Sequence, residues 1–453
     1  MARPRAGWGA IACAGSYLIA QSYVPGPQVL TFLSDVDDTD QPYALYLPPR
    51  MEPGKKYPLV VSLHGEWSNH RLDLRRVFGK GNRAGESDLQ ASRFFPRLPD
   101  VDYIVASPFA RGTLGYRGIA EREVYAVTAD VKRRFPVDEN RVYLAGASIG
   151  GAGALRLGLT RPDQWAAVVA VCPAPSEDLE ALAPNALHLP VHLFHGDADI
   201  AAPVALSRRW HSRLLKLGSH VEYREYPGIK HNAWDTAFHD AAIFRWLDKF
   251  RRPQFPDRVR FVTEAYKYWG AYWVEMDRFT PGTAALIDAA FTGANRLEIA
   301  TQNLDSFTLR LAGHPKFSDR AAVVVSVDGA VLRQKGPQIS FTRDGSGWRV
   351  AERPVKGGKR LGAEGPIPEA IAGRHLYVYG DGLAEEAARA AQWSIPSFRL
   401  PVSFRAVSHR EVTETEIQEA NLILFGTRQN NTLVDRFADR LPLELNASAA
   451  DYG

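Results

Sequence analysis

Apolar and polar positions alternate differently in successive stretches of the chain. Val29–Leu33 and Tyr43–Leu47 flank an acidic turn carrying Asp35, Asp37, Asp38 and Asp40, which predicts two paired strands, the second ended by Pro48-Pro49. Uninterrupted apolar runs follow at Leu59–Leu63, Tyr103–Ser107, Val142–Ala145, Trp165–Val171 and Val191–Phe194. Runs without alternation suit strands buried on both faces. Helical patterns at Glu121–Phe135 and Gly150–Thr160 lie between some of them, and a final helix is expected over Trp234–Phe250. Strands alternating with helices predict an α/β fold, a doubly wound, mostly parallel sheet over residues 29–252.

The texture changes after Arg251-Arg252-Pro253-Gln254-Phe255-Pro256. Residues 257–350 hold strand patterns at Arg258–Thr263, Tyr272–Met276, Arg296–Ala300, Phe307–Leu311, Ala321–Val327 and Gln338–Thr342, with turn signals at Asp328-Gly329 and Asp344–Gly347. They predict a β-rich, sandwich-like domain. A basic, glycine-containing loop over 351–366 leads to a small α/β lobe at 366–447. Its strands are expected at His375–Tyr379, Val402–Val407 and Asn421–Phe425, and its helices at Leu383–Trp393, Thr415–Ala420 and Asn431–Arg440. Such a lobe is too small to close a core alone and must pack on its neighbours.

Composition narrows the chemistry. Of 453 residues, 45% are hydrophobic and 23% charged, as in ordinary globular proteins. Fifty-five basic and 51 acidic residues leave a net charge of +4, and no dense basic block points to nucleic acid. Two cysteines, Cys13 and Cys172, exclude a disulfide framework and cysteine-rich zinc sites. A basic start, a short apolar stretch and Ala20-Gln21-Ser22 suggest a signal peptide at 1–22, hence a secreted or periplasmic protein, with the cytoplasm as the alternative. No later segment is apolar enough to span a membrane.

The strongest chemical signal is Gly146-Ala147-Ser148-Ile149-Gly150-Gly151, preceded by a strand pattern and opening a helical one. That context defines a nucleophile elbow, a sharp turn exposing the serine at a helix N-terminus. A serine needs a base held by an acid, in the chain order serine, acid, histidine. His195-Gly196-Asp197-Ala198-Asp199 follows one strand and His231 the next. Asp199 is preferred as the acid because it can curl back toward His231, whereas Asp197 is still leaving the sheet; Asp197 stays the alternative. His195, His220 and His239 are weaker candidates for the base. Backbone amides of Ile149 and Glu66 are the expected oxyanion donors, the Glu66 side chain facing away.

These motifs carry a resemblance. Tyr57–Val61 running into Leu63-His64-Gly65, Val137–Tyr143, Ser148-Ile149-Gly150-Gly151, His195–Asp199 and His231–Asp235 resemble the α/β-hydrolase superfamily over residues ~40–250. Within it they are similar to polyhydroxybutyrate-depolymerase and feruloyl-esterase-type esterases and to prolyl-oligopeptidase-type serine hydrolases. The resemblance implies a Ser148–His231–Asp199 triad cleaving small or polymeric carboxylic esters through an acyl-enzyme, with no metal and no other cofactor. A serine peptidase and a non-catalytic glycan- or protein-binding protein are the alternatives. Ile149 replaces a frequent methionine, and Glu66 a frequent small residue. Residues 257–453 show no catalytic constellation. Their aromatic cluster Tyr266–Trp273 is either a carbohydrate platform or core, and His314, His375 and His409 are isolated.

Overall fold

The structure, a computed structural model, describes residues 24–112, 115–353, 367–393 and 404–440. The expected signal peptide at 1–22 and most of the basic loop, 354–366, lie outside the described residues.

Eight strands form the first sheet: β1 Gly26–Leu33, β2 Asp40–Leu47, β3 Tyr57–Leu63, β4 Ile104–Pro108, β5 Val137–Ala147, β6 Ala167–Val171, β7 Val191–Gly196 and β8 Val221–Tyr226. Their order is β1-β2-β4-β3-β5-β6-β7-β8. The pairs β1–β2 and β2–β4 are antiparallel and every other pair is parallel. The unbroken apolar runs follow from burial on both faces. Leu59, Val61, Leu63 and Leu144 pack with helices Ile119–Arg134, Ile149–Thr160 and Ala205–Lys216 on one side. Val60, Tyr143 and Ala145 pack with His70–Val77 and Ala242–Leu247 on the other. The chain steps from β3 to β4 and then to β5 on the far side of β3. Loops leaving β3 and β5 therefore diverge, and this reversal opens a crevice at the carboxyl edge, where such sheets bind ligands.

The single helix expected over Trp234–Phe250 is broken into Trp234–Ala237, a tight turn at His239–Ala241, and Ala242–Leu247. Asp240 and Ala241 stand at φ 50° and 53°. The turn after His70–Val77 crosses here so closely that a Cβ on Gly79 would lie 2.5 Å from the Phe238 carbonyl oxygen. The break still buries Phe238 on one side and Ile243, Phe244 and Leu247 on the other.

Residues 258–351 form two five-stranded sheets around one apolar core, the sandwich that the patterning predicts. Strands Ala285–Gly293, Ala330–Gln334 and Gly347–Ala351 join those foreseen. The Tyr272–Met276 strand begins later, at Val274, because Tyr272 turns at φ 56°. The aromatic cluster is no carbohydrate platform. Tyr266 and Trp273 are buried in the sandwich core. Tyr268 donates to both oxygens of buried Glu121 at 2.8 Å, and Tyr272 donates to the Pro162 carbonyl at 3.2 Å. Asn185 joins the two units. Its amide donates to the carbonyls of Leu159 and Val262 at 2.8 and 2.9 Å, and its oxygen accepts from Val262 N–H at 2.7 Å.

The lobe is a three-stranded parallel sheet, Ala406–Ser408, His375–Tyr379 and Asn421–Phe425 in that spatial order. The strand expected from Val402 begins at Ala406, and residues 402–403 lie outside the described residues. The lobe completes its core with Val36 and Ile119 of the first unit, as its size demands. Arg374 reaches the Asp38 carboxylate and the Asp35 carbonyl. Beneath this contact Arg111 is enclosed by Asp37, at 2.6 and 2.8 Å, and Glu123, at 2.5 Å. Burial raises the Glu123 carboxyl pKa, and Arg111 opposes the rise.

Asn185→Ala strands buried backbone groups on both units and should cost about 1–3 kcal/mol in urea denaturation. Arg111→Met leaves two buried carboxylates without their cation and should cost about 3–5 kcal/mol at neutral pH. Without Arg111, burial holds the Glu123 pKa above its unfolded value, so the folded state takes up the proton first. The deficit should therefore shrink as pH falls through that raised pKa. A deficit independent of pH contradicts the assignment.

Candidate active site

Ser148 stands between β5 and the helix Ile149–Thr160 with φ 56° and ψ −122°. Three close approaches hold it there. A Cβ on Gly146 would lie 2.3 Å from the Gly150 carbonyl oxygen, and one on Gly150 would lie 2.0 Å from that of Leu63. Ser148 N–H donates to the Val171 carbonyl at 2.8 Å. Strand and helix thus pass at a distance that only glycine permits, and the serine takes the strain.

The three residues expected to cooperate meet at this edge. Ser148 Oγ lies 2.9 Å from His231 Nε2, and His231 Nδ1 lies 2.7 Å from Asp199 Oδ2. The Asp199 carboxylate also accepts, through Oδ1, the N–H groups of Ala201 and Ala202, both at 2.9 Å. Burial raises its pKa, but the Ala202 amide, His231 and the Ala201 amide outweigh that, and the carboxyl stays below its ordinary range. An ionised Asp199 fixes the proton on His231 Nδ1 and leaves Nε2 free to accept from Ser148. Asp197 is directed elsewhere, its Oδ1 accepting Gly228 N–H at 2.6 Å. Trp234 meets the His231 ring edge-on at 5.4 Å, and the Arg76 guanidinium lies 5.2 Å from the Trp234 ring.

The loop after β3 runs beside the serine. A Cβ on Gly65 would sit 3.5 Å from Ser148 Cβ and 3.4 Å from the Ala147 carbonyl oxygen. Glu66 is exposed, so its carboxylate is turned to solvent. His64 pins the loop from below. It is buried, with Nδ1 2.8 Å from the Gly65 carbonyl oxygen and Nε2 3.0 Å from that of Phe109. Tyr116 donates to the His64 carbonyl at 2.9 Å.

The sequence marks His195 only as a weaker candidate for the base, and nothing in it places Cys172 beside the site. His195 is fully buried. Its Nδ1 lies 2.7 Å from Ser207 Oγ, and its Nε2 lies 2.9 Å from the Ala202 carbonyl and 3.3 Å from Asp199 Oδ2. It thus braces the acid's loop, with no nitrogen left for the serine. The visible signal was its place one residue before Gly196, at the strand's end. His220 and His239 pair instead with Glu222 and Asp240. Donor atoms of Cys172, His195 and Asp199 lie within 4.8 Å of one another. They do not suit a cation: burial pushes the Cys172 thiol up to about 12, and both His195 nitrogens are occupied.

Residues 121–246 match the model of the Phospholipase/Carboxylesterase family. Among solved structures, the chain is similar to a thermostable esterase, with 23% identity, 50% of this chain and 63% of that one covered, and a TM-score of 0.39. It is similar to an S-formylglutathione hydrolase from Agrobacterium tumefaciens, with 17% identity, 52% and 99% coverage and a TM-score of 0.39. A CE1 ferulic acid esterase from Anaeromyces mucronatus, solved with ferulic acid, gives 16%, 51% and 92%, and 0.38. Among the described residues no helix is long and apolar enough to cross a membrane. The first unit thus has the sheet order and the strand–serine–helix turn of an α/β-hydrolase fold, and residues 121–246 within it match the Phospholipase/Carboxylesterase family.

Proposed function

We propose that the protein is a serine carboxylesterase in which Ser148, His231 and Asp199 form the catalytic triad. The observation that carries this reading is the unbroken hydrogen-bond chain from Ser148 Oγ through His231 to Asp199, at 2.9 and 2.7 Å. Ser148 Oγ attacks the ester carbonyl carbon while its proton passes to His231 Nε2. Asp199 balances the imidazolium so formed. The developing oxyanion is held by the N–H of Ile149, first in its helix, and by the N–H of Glu66. As the tetrahedral intermediate collapses, His231 returns the proton to the departing alcohol and leaves an acyl-enzyme on Ser148. Water, deprotonated by His231, then releases the acid. No step needs a metal or an organic cofactor. The exposed Glu66 side chain supports this scheme, because a carboxylate turned inward would oppose the oxyanion.

The hydrogen-bond chain is built entirely from residues of the first unit.

Ser148→Ala should preserve folding and lower hydrolysis of p-nitrophenyl acetate by several orders of magnitude. Asp199→Asn should cost on the order of 10⁴ in kcat, because the amide disfavours both the productive tautomer and the imidazolium. Asp197→Asn loses one loop contact and should cost far less. Steady-state kinetics on the three variants decide the matter, and an Asp197→Asn defect larger than that of Asp199→Asn reverses the assignment of the acid. A parallel assay on aminoacyl anilides separates an esterase from a peptidase.

A further inference from the structure

Trp67 occupies a position that folding alone does not explain. The residue is 80% exposed, so it adds almost nothing to the core. Its backbone stands at φ 59°, in the left-handed region that bulky side chains rarely enter. Glycine or asparagine would sit there with less strain. The turn is nonetheless held from both sides. Ser68 N–H donates to the Gly65 carbonyl at 3.3 Å, and the Asn69 side chain caps the next helix through Arg71 and Leu72 N–H.

Placement supplies the reason. Trp67 lies two residues beyond Gly65, whose missing Cβ would be 3.5 Å from Ser148 Cβ. At about 3.8 Å per Cα step, its backbone is within about 8 Å of Gly65. Across the nucleophile, Ile200 is 94% exposed and directly follows Asp199. β3 and β7 lie on opposite sides of β5 in the sheet. At about 4.8 Å per strand, the loops carrying the two side chains stand roughly 14 Å apart with Ser148 between them. The two exposed apolar side chains thus come from loops that flank the reacting atom.

We propose that Trp67 is a specificity-determining residue of this site, with Ile200 opposite it, and that the ester it accepts carries a large apolar or aromatic group. The proposal rests on the Ser148 reading. An exposed indole offers a flat apolar face on which an alkyl chain or an aromatic ring gives up water-exposed surface. Strain at Trp67 is the cost of keeping that ring beside the oxyanion loop.

The test uses the full chain and two pairs of esters. p-Nitrophenyl octanoate against acetate probes the acyl side, and 1-naphthyl acetate against methyl acetate probes the alcohol side. Turnover of p-nitrophenyl acetate by the wild type, and its loss in Ser148→Ala, establishes the underlying reading independently. Trp67→Asn removes the ring but suits the left-handed backbone. It should lower the large-to-small ratio of kcat/KM in at least one pair by about tenfold, mainly through KM. Trp67→Phe should restore most of that ratio, and the pair affected identifies the side that Trp67 contacts. An equal loss on all four esters assigns Trp67 to holding the oxyanion loop and overturns the proposal, as do unchanged ratios. A wild type that turns over no ester removes the Ser148 reading and this proposal with it.

Discussion

The forced turn at Ser148 is the constraint on which the rest of the site depends. Its φ of 56° is imposed by Gly146 and Gly150, which let the strand, the helix and the Leu63 carbonyl pass within distances that any Cβ would forbid. The same crossing places the loop after β3 against the serine. A relaxed turn would move Oγ away from His231 and separate Ile149 from Glu66. The large, doubly covered sheet supplies the rigidity to hold that strain. β5 is central, with β3 on one side and β6 on the other, and both faces are packed with apolar side chains.

Electrostatics then distributes roles among residues that look alike in sequence. Asp197 and Asp199 are two positions apart, yet one caps a turn at Gly228 and the other collects two backbone amides and the histidine. His195 and His231 both touch the Asp199 carboxylate, but only His231 has a nitrogen directed at the serine. Buried His64, between two carbonyl oxygens, belongs to the support of the loop after β3. Polar groups packed behind the site thus work by fixing geometry.

Much of this was legible in the chain because the signals are local. The apolar runs of β3 to β7, the glycine-flanked Ser148 and the order of acid and histidine after successive strands all depend on short stretches of sequence. What was not legible depends on distant contacts. The break at Asp240 comes from a crossing at Gly79, more than 150 residues away in the chain. The aromatic run Tyr266–Trp273 reads as core in preference to a surface platform, without showing what it packs on. Only its contacts with Glu121 and Pro162 reveal that it joins two units. Strand Ala285–Gly293 has a weak β pattern because of its alanines and glycine, although pairing on both edges holds it. Nothing local marks the exposure of Trp67.

In the proposed mechanism Ser148 carries the acyl group between two half-reactions. The most direct measurement is rapid-quench mass spectrometry of the full chain mixed with a p-nitrophenyl ester. A burst of p-nitrophenol approaching one equivalent per enzyme is expected, together with a peptide containing Ser148 that is heavier by the acyl mass. Steady turnover with the acyl group on another residue, or with no acylated peptide at any quench time, contradicts it.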